Sequence, residues 1–235
     1  MVDTEFGDLG EPINKTQKRV RLAARALARH NLVHAYGHVS ARLDEKNFLV
    51  CAPKPMGLID VGEEGAVVPI RGELPEGVLG EVRCHQQIYA AREEINGVCR
   101  VFPRSILTLS TFRKTPKARI GFGSYFYPQP PFWDDPLLIR TDQQAIKFAK
   151  TLGNAKAIVM RGNGAVCAAA TVEESVILAF YLEESANTEL AVMATGDAAE
   201  DSICFTEAQA ILRATGTGRI YERLWDFMTA GDPEI

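Results

Sequence analysis

The order of short apolar strands and amphipathic helices along the chain is the feature that most constrains its fold. Strands are predicted where β-branched and other apolar residues cluster, at NFLVCAP, AVVPI, GVCRVF, ARIGF, KAIVM and AVCAAA. Helical periodicity predicts helices over KTQKRVRLAARALARH, LGEVRCHQQIYAAREE, RSILTLSTF and TDQQAIKFAKTLG, and a long one over TVEESVILAFYLEESANTELAVMATG. Because these elements do not alternate strictly as βαβ units, the order favours a layered α/β sandwich over a Rossmann fold.

Local signals mark where several elements begin and end. Asn14 followed by Gln17 is a capping-box variant that predicts the start of the first helix, and Asn31 is a natural stop for it. RGNG is typical of a tight turn between two strands. The stretch YPQPPFWDDP is rich in proline but also aromatic, which indicates a packed loop rather than a linker between domains.

The composition fits one soluble domain and excludes several classes of partner. With 235 residues, 46% hydrophobic and 24% charged, residues 1–235 can build one substantial core. A net charge of −4 without a basic stripe argues against nucleic acid. No apolar run reaches the roughly 18 to 20 residues that span a bilayer, and MVDTEFGDLGEPINKTQ lacks the apolar stretch of a signal peptide. We therefore expect a cytoplasmic protein without membrane association.

Cysteine usage and known binding motifs add two further expectations. The five cysteines are odd in number and form no CxxC pair, so we expect free, buried thiols in a reducing compartment. The chain contains neither GxGxxG nor GxxxxGK followed by Ser or Thr, and it shows no internal repeat. The sequence thus gives no sign of a nucleotide, and we expect no cofactor.

Five segments together resemble a known family. They are GHVSARL (37–43), EVRCHQQIYAARE from Glu81, VCRVFPRS, RGNGAV and ESVILAFYLEESANTELA. Over roughly residues 15–215 their order and spacing resemble the class II aldolase and adducin-like family. The resemblance implies a single-domain, three-layer αβα sandwich with a central mixed, largely antiparallel sheet, followed by a C-terminal helical segment that runs to residue 235. It also implies a ring-shaped homotetramer with active sites between subunits.

The resemblance implies a metal that this chain is not equipped to bind. Enzymes of the family cleave or decarboxylate small hydroxylated acids and sugar phosphates with a divalent metal held by three histidines. The matching positions here are Arg100, Phe102 and Asn163. None of the four histidines matches a ligand position: His30, His34, His38 and His85. A replacement zinc site from His34 and His38 would lack the four ligands of a structural site. We therefore expect a metal-free site.

Three residues are the expected catalytic groups. Glu81 matches the family's acidic residue beside the metal, which serves proton transfer in the aldolases, and His85 lies four residues later on the same helix face. The guanidinium of Arg100 would lie where the metal sits and would neutralise a carboxylate or stabilise an oxyanion. The alternatives are a carboxylate stabilised by a helix start, a core histidine, and a structural Glu81–Arg100 ion pair in an inactive site.

A second set of residues is expected to bind a small anionic organic substrate. GHVSARL matches the family's substrate-binding loop, although other roles there are loop hydrogen bonds and a surface ion pair. APKPMGLI lacks the hydroxyls that hold a sugar phosphate but retains a lysine for an anion. An asparagine in a tight turn and a tyrosine in a packed loop have equally ordinary structural roles. The expected substrate-binding set is His38, Ser40, Arg42, Lys54, Arg104, Tyr125 and Asn163.

Three functions are consistent with these residues. The first is a metal-independent lyase that cleaves or decarboxylates a small hydroxylated carboxylic acid, aromatic or not, through an enolate-like intermediate. The second is a catalytically silent, adducin-like binding or scaffold protein, and the third is a hydratase or isomerase with the same site. Two arginines in the pocket strand beside a retained Glu81 favour the enzyme. The long helix around ESVILAFYLEESANTELAVMA has more apolar surface than one sandwich face needs, which favours subunit association.

Overall fold

A seven-stranded sheet forms the centre of the computed structural model, which describes residues 12–235. The strands are β1 His38–Arg42, β2 Asn47–Val50, β3 Ala66–Pro69, β4 Gly97–Val101, β5 Phe132–Trp133, β6 Ala157–Met160 and β7 Ala165–Ala169. Their order is β3-β2-β1-β4-β7-β6-β5. Every neighbouring pair is antiparallel except β5 and β6, which are parallel. The expected mixed α/β fold around one largely antiparallel central sheet is confirmed.

Helices cover both faces of this sheet. They are α1 Ile13–Arg29, α2 Arg83–Ala91, α3 Arg104–Thr111, α4 Asp142–Leu152, α5 Val172–Met193, α6 Glu207–Arg213 and α7 Ile220–Thr229. Side chains of a strand point alternately to its two faces. In β4, Val98 therefore packs in the core under α2 and α4, whereas Cys99 and Val101 pack in the core under α1 and α5. Within residues 12–235, no helix is long and apolar enough to cross a membrane.

Several local predictions are wrong, for physical reasons that the structure shows. GHVSARL, expected to be a loop, contains the fully buried strand β1, which β2 and β4 hydrogen-bond on either side. ARIGF is not a strand, because Arg119 binds Glu189 of α5 and the segment crosses that helix instead of joining the sheet. The proline-rich loop contributes the short strand β5.

The limits of the first helix agree only in part with the expectation. The helix α1 begins after Pro12, and no side chain caps it, so Asn14 lies inside the helix and the expected capping box is wrong. The predicted stop at Asn31 is confirmed, since this residue has a φ of 58°, which ends the helical conformation. The expected N-terminal lack of a signal peptide concerns mainly residues 1–11, which lie outside the described residues.

The apolar surface of α5 is used within one subunit. Val176, Ile177, Leu178, Ala179 and Leu182 are all fully buried against the sheet and the surrounding helices. These five residues point to all sides of the helix, so α5 is a central core helix. The helix α5 therefore gives no argument for an assembly, and the homotetramer stays a prediction.

The cysteines are free thiols. Cys51, Cys84, Cys99 and Cys167 are buried, as expected, whereas Cys204 is exposed. Burial raises the pKa of Cys51 to about 11 and that of Cys84 to about 12, so these two thiols stay protonated and act as small apolar side chains.

A buried ion-pair network ties the C-terminus to α1. Nε and Nη2 of Arg25 donate to the two carboxylate oxygens of Asp232 at 2.8 and 2.7 Å, and Arg21 binds Glu234 in the same bidentate way at 2.9 and 2.7 Å. The side chain of Asp232 is fully buried. Burial alone would raise the pKa of Asp232, but the hydrogen bonds from Arg25, Arg29 and the backbone N–H of Glu234, with the charge of Arg25, together outweigh burial and hold this pKa below its usual value. The extent of the domain, residues 1–235 with a core at about 15–215, stays a prediction.

Removing Asp232 should destabilise the protein strongly. We expect Asp232→Ala to lower the free energy of unfolding by about 3 kcal/mol, because Arg25 keeps its charge in a buried position with one partner fewer. The folded-state pKa of Asp232 is depressed, so its stabilisation is present above the unfolded pKa of about 3.9 and is lost as the pH falls through the folded pKa. Urea unfolding at pH 7 and at stepwise lower pH measures both effects.

The control for this prediction is an exposed pair. Glu94 contacts Arg92, and the Glu94 side chain is 64% exposed, so Glu94→Ala should leave the unfolding transition nearly unchanged. A loss of less than about 1 kcal/mol for Asp232→Ala at pH 7 would contradict a stabilising role for the network.

Candidate active site

The two central strands bring the main site residues together. In the antiparallel register of β1 and β4, His38 lies directly opposite Arg100, and Ser40 lies opposite Val98. Paired residues in antiparallel strands share a face of the sheet, so His38, Ser40 and Arg100 all point toward α2. Glu81 lies in the 3-10 turn Gly80–Val82 that leads directly into α2. The sheet thus supplies the cation and α2 supplies the facing acid.

The turn between β6 and β7 adds Asn163 to this group. Gly162 and Gly164 on either side of it have φ values of 62° and 75°, which glycine adopts without strain. A Cβ on Gly164 would lie 2.0 Å from the carbonyl oxygen of Val101, so only glycine lets the turn approach the end of β4 this closely. That approach places the carbonyl of Asn163 against the guanidinium of Arg100.

Arg100 is the central charge of the site. It is 1% exposed, and its Nη1 donates to the carbonyl oxygen of Asn163 at 2.5 Å. Its Cζ lies 4.3 Å from the centre of the Phe102 ring, which is a cation–π distance. Nη2 lies 3.8 Å from Glu81 Oε1, too far for a hydrogen bond. Burial lowers the pKa of Arg100, but an arginine stays charged in proteins.

Two histidines, a serine and a tyrosine form a buried hydrogen-bonded chain beside Arg100. Nδ1 of His38 lies 2.8 Å from Nε2 of His85, and Nδ1 of His85 lies 2.6 Å from Oγ of Ser40. The hydroxyl oxygen of Tyr89 lies 2.9 Å from Ser40 Oγ and donates to the carbonyl oxygen of Ser40 at 3.1 Å. His85 and Ser40 are fully buried and Tyr89 is nearly so. This chain therefore begins at the site and ends in the core.

Both imidazoles in this chain are neutral. Burial, followed by the charge of Arg100, lowers the pKa of His38 to about 3. Burial, followed by the charges of His38 and Arg100, lowers the pKa of His85 well below its usual range. Each ring accordingly carries one N–H and one lone pair at neutral pH. Arg100 then supplies the positive charge of this cluster, and Glu81 is the acidic side chain that faces it.

Three buried polar atoms around Arg100 have no hydrogen-bond partner among residues 12–235. They are His38 Nε2, Arg100 Nη2 and Asn163 Nδ2. Buried polar groups are normally hydrogen-bonded, and leaving one without a partner costs about 1–3 kcal/mol. Two of the three atoms, on the guanidinium and the amide, are N–H donors. These two donors are chemically suited to one anionic oxygen.

The residues of the site do not fit the metal that the family resemblance implies. A guanidinium, an aromatic ring and an amide occupy the three ligand positions, at Arg100, Phe102 and Asn163. Across the part of the chain that the structure describes, no three His, Cys, Asp or Glu side chains are grouped to hold a metal ion. A fixed cation at Arg100 also repels a second one. We derive no step through a metal here.

Four residues of the expected substrate-binding set lie elsewhere or have other partners. Arg42 donates to the backbone carbonyls of Tyr89, Arg92 and Ile95 at the end of α2. The other three lie away from the cluster: Lys54 pairs with Asp60 and Glu63, Tyr125 donates to the carbonyl of Thr215, and Arg104 is exposed at the start of α3. The structure thus brings together Glu81, His85, Arg100, His38, Ser40 and Asn163.

Tyr89 is the member of the cluster that the sequence analysis missed. Glu81, His85 and Tyr89 recur every four residues, a spacing that places them on one face of a helix and that could have revealed the third residue. The alternation of His38 and Ser40 in GHVSARL is a second such signal, since residues two apart share a strand face.

A protein-family comparison fits this geometry. A model described as class II aldolase and adducin N-terminal domain matches residues 18–190. The chain belongs to this family. It is 26% identical over 224 residues to a 3,4-dihydroxyphthalate decarboxylase of Arthrobacter keyseri, covering 83% of this chain and 87% of that protein. It is 25% identical over 200 residues to a protein of the same name from a Terrabacter species, covering 76% and 82%.

Solved structures share the fold of this family member. An L-fuculose 1-phosphate aldolase from Glaciozyma antarctica superposes with a TM-score of 0.74 at 19% identity, over 97% of this chain and 90% of that one. An aldolase II superfamily protein from Pseudomonas syringae superposes with a TM-score of 0.75 at 20% identity, over 91% of each chain. These similarities support the architecture of the sheet that carries the site.

The donor set predicts a low affinity of the site for divalent metals. We expect the protein, purified without chelators, to carry well below one equivalent of zinc, manganese or iron, because Arg100 repels a cation and Phe102 offers no lone pair. The comparison variant is R100H/F102H/N163H, which restores three imidazoles and should bind Co²⁺ with a visible absorption spectrum. Elemental analysis of both proteins measures the difference. One equivalent of metal in the wild type, lost in Glu81→Gln, would contradict the prediction.

Proposed function

We propose that this protein is a metal-independent lyase that decarboxylates a small hydroxylated aromatic acid, with Arg100 in the electrostatic role of the family's metal. The observation that carries the proposal is the buried Arg100, whose Nη2 has no hydrogen-bond partner among the described residues and lies 3.8 Å from Glu81 Oε1, on the strand residue directly opposite His38. The curated relatives support the reaction class, because two named 3,4-dihydroxyphthalate decarboxylase match most of this chain.

The chemistry requires a group that stabilises negative charge on an oxygen. A proton adds to the ring carbon that bears the carboxylate, and the ring hydroxyl, as phenolate, becomes a ketone. The bond to the carboxylate then breaks, carbon dioxide leaves, and the electron pair returns through the ring to the oxygen. Arg100 would bind that oxygen as its charge develops, which is electrostatic stabilisation by a preorganised donor. Asn163 Nδ2 would donate a further hydrogen bond.

Glu81 is the proposed acid and base. Its side chain is 25% exposed, so it can exchange protons with solvent, while Arg100 on its inner side keeps it close to the reacting oxygen. Protonated Glu81 would deliver the proton to the ring carbon and recover one from water afterwards. The same enolate-like intermediate also serves retro-aldol cleavage, which is the alternative reaction for this site.

We also propose that the active form is a homotetramer with sites between subunits. The surface beside the site is apolar: Tyr36 is 76% exposed, and its ring centre lies 6.5 Å from that of Phe102. A neighbouring subunit would cover this aromatic rim and shield the site from water. Sedimentation velocity at micromolar concentration should give the mass of four chains, and a monomer at that concentration would contradict shared sites.

Substituting Arg100 tests the central role of its guanidinium. Arg100→Lys keeps a positive charge but loses the planar donor fork, so turnover should fall by a factor of about 10² to 10³ while the protein still folds. Glu81→Gln should reduce turnover more than binding, because it keeps the shape and removes the proton. Release of carbon dioxide from 3,4-dihydroxyphthalate and from dihydroxybenzoates measures turnover, and a thermal-shift screen measures binding.

A matched control separates this effect from a general loss of a buried arginine. Arg119 forms a bidentate pair with Glu189 and has no contact with the site cluster, so Arg119→Lys should leave turnover nearly unchanged. Turnover that survives Arg100→Lys would contradict the role of Arg100. A protein that binds none of these acids, and whose Arg100→Lys variant changes in stability alone, would instead indicate a silent binding or scaffold protein.

A further inference from the structure

The protons of the hydrogen-bonded chain behind His38 all point the same way. The contacts of Tyr89, at the inner end of that chain, determine which way. The chain runs from His38 through His85 and Ser40 to Tyr89, and Tyr89 also contacts the carbonyl oxygen of Ser40 at 3.1 Å. A carbonyl oxygen only accepts hydrogen bonds. The single proton of the Tyr89 hydroxyl is therefore directed at that carbonyl. Its oxygen is left as an acceptor for the hydroxyl of Ser40.

The direction propagates outward one group at a time. Ser40 gives its proton to Tyr89, so Ser40 Oγ accepts from Nδ1–H of His85 at 2.6 Å. A neutral imidazole with a proton on Nδ1 has a lone pair on Nε2. His85 Nε2 therefore accepts from Nδ1–H of His38 at 2.8 Å. His38 is then left with a lone pair on Nε2, which is a buried atom with no partner among the described residues.

The opposite direction loses a contact that the structure contains. If every proton pointed outward, Tyr89 would donate to Ser40 Oγ and the hydrogen bond to the Ser40 carbonyl would be absent. His38 Nε2 would then carry a proton and act as a donor. In the inward direction both hydroxyls donate and accept, His85 donates from Nδ1 and accepts at Nε2, and satisfied buried networks are the more stable ones.

Three buried atoms at and around Arg100 have no partner among the described residues, and their hydrogen-bonding roles differ. Arg100 Nη2 and Asn163 Nδ2 are donors, and His38 Nε2, by the direction of the chain, is an acceptor. Two donors suit an anionic oxygen, and one acceptor suits a hydroxyl. An aromatic acid that lacks the hydroxyl would leave His38 Nε2 buried without a partner, at a cost of about 1–3 kcal/mol.

We propose that His38 selects substrates with a hydroxyl free to donate to its Nε2, and that His85, Ser40 and Tyr89 are positioning residues that keep this nitrogen unprotonated. The inference rests on the proposed function, because it assigns to His38 a hydroxyl of the same aromatic acid, distinct from the oxygen that Arg100 stabilises. A site built to hydrogen-bond a substrate hydroxyl discriminates strongly against analogues that lack it. The buried hydrogen-bonded residues thereby determine that the site accepts a substrate hydroxyl.

Tyr89 lies at the inner end of the hydrogen-bonded chain, far from the ligand. The proposal nevertheless requires Tyr89 to affect which ligand binds. In Tyr89→Phe, Ser40 loses its acceptor and its hydroxyl has His85 Nδ1 as the remaining partner. The proton of His85 then resides on Nε2 and is donated to His38 Nδ1. The proton of His38 consequently moves to Nε2, and the acceptor becomes a donor. Selectivity should change although no group near the ligand has been altered.

Binding measurements with matched benzoates test the selectivity. Isothermal titration of 3- and 4-hydroxybenzoate against 3- and 4-fluorobenzoate compares a donor with a substituent of similar size that cannot donate. In the wild type we expect the better hydroxybenzoate to bind about 10- to 100-fold more tightly than its fluoro analogue. In Tyr89→Phe this preference should fall to about threefold or less, or reverse. A preference unchanged in Tyr89→Phe would overturn the inference.

The matched control is a second buried tyrosine on the opposite face of the sheet. Tyr181 of α5 is 3% exposed and packs in the other core, so Tyr181→Phe should keep the wild-type preference. Equal binding of hydroxy and fluoro acids to the wild type, with affinity lost in Arg100→Lys, overturns the role of His38 and leaves the proposed function standing. Failure of every aromatic acid to bind overturns both.

The protonation of His38 can also be measured without any ligand. In ¹⁵N-labelled protein, the imidazole nitrogens that carry a proton are distinguished from those that do not by their chemical shifts. We expect the proton of His38 on Nδ1 in the wild type and on Nε2 in Tyr89→Phe. A proton on Nε2 of His38 in the wild type would overturn the inference even if the variant did not fold.

Discussion

The buried charge of Arg100 determines how the rest of the site is built. A guanidinium without water needs partners that offset the lost hydration, and this one has a carbonyl from Asn163 and the face of the Phe102 ring, with a carboxylate only at 3.8 Å. Burial, with a further contribution from the charge of Arg100, lowers the pKa of both neighbouring imidazoles and keeps them neutral. The histidines here therefore function as neutral hydrogen-bonding groups rather than as charges.

The replacement of metal ligands by an arginine changes the chemistry that the fold can support. A guanidinium has a fixed set of N–H donors and a single charge, whereas a divalent ion accepts lone pairs in several directions. The site consequently depends on oriented hydrogen bonds, and each donor and acceptor must already point in the correct direction. The chain from His38 to Tyr89 supplies that orientation from inside the core, where no water competes for the protons.

The two faces of the sheet have different tasks. The face under α1 and α5 holds the larger core and the ion pairs that fix the C-terminus, and α5 is buried on all sides. The face under α2 carries the hydrogen-bonded chain from His38 to Tyr89 and ends at Glu81, whose side chain is partly exposed. The buried polar atoms of the site are thereby gathered on the α2 face of the sheet.

The sequence determined most helices and strands, because apolar periodicity is a property of local segments. It also showed that Arg100, Phe102 and Asn163 stand at the positions where the family resemblance implies metal ligands. It did not reveal β1, because its His38, Ser40 and Arg42 look like loop residues until their partners are known. It also gave Arg42, Lys54 and Tyr125 substrate roles, whereas their partners are distant backbone carbonyls and carboxylates. Only the tertiary structure decided these points, because the role of a polar side chain depends on partners that can lie far away along the chain.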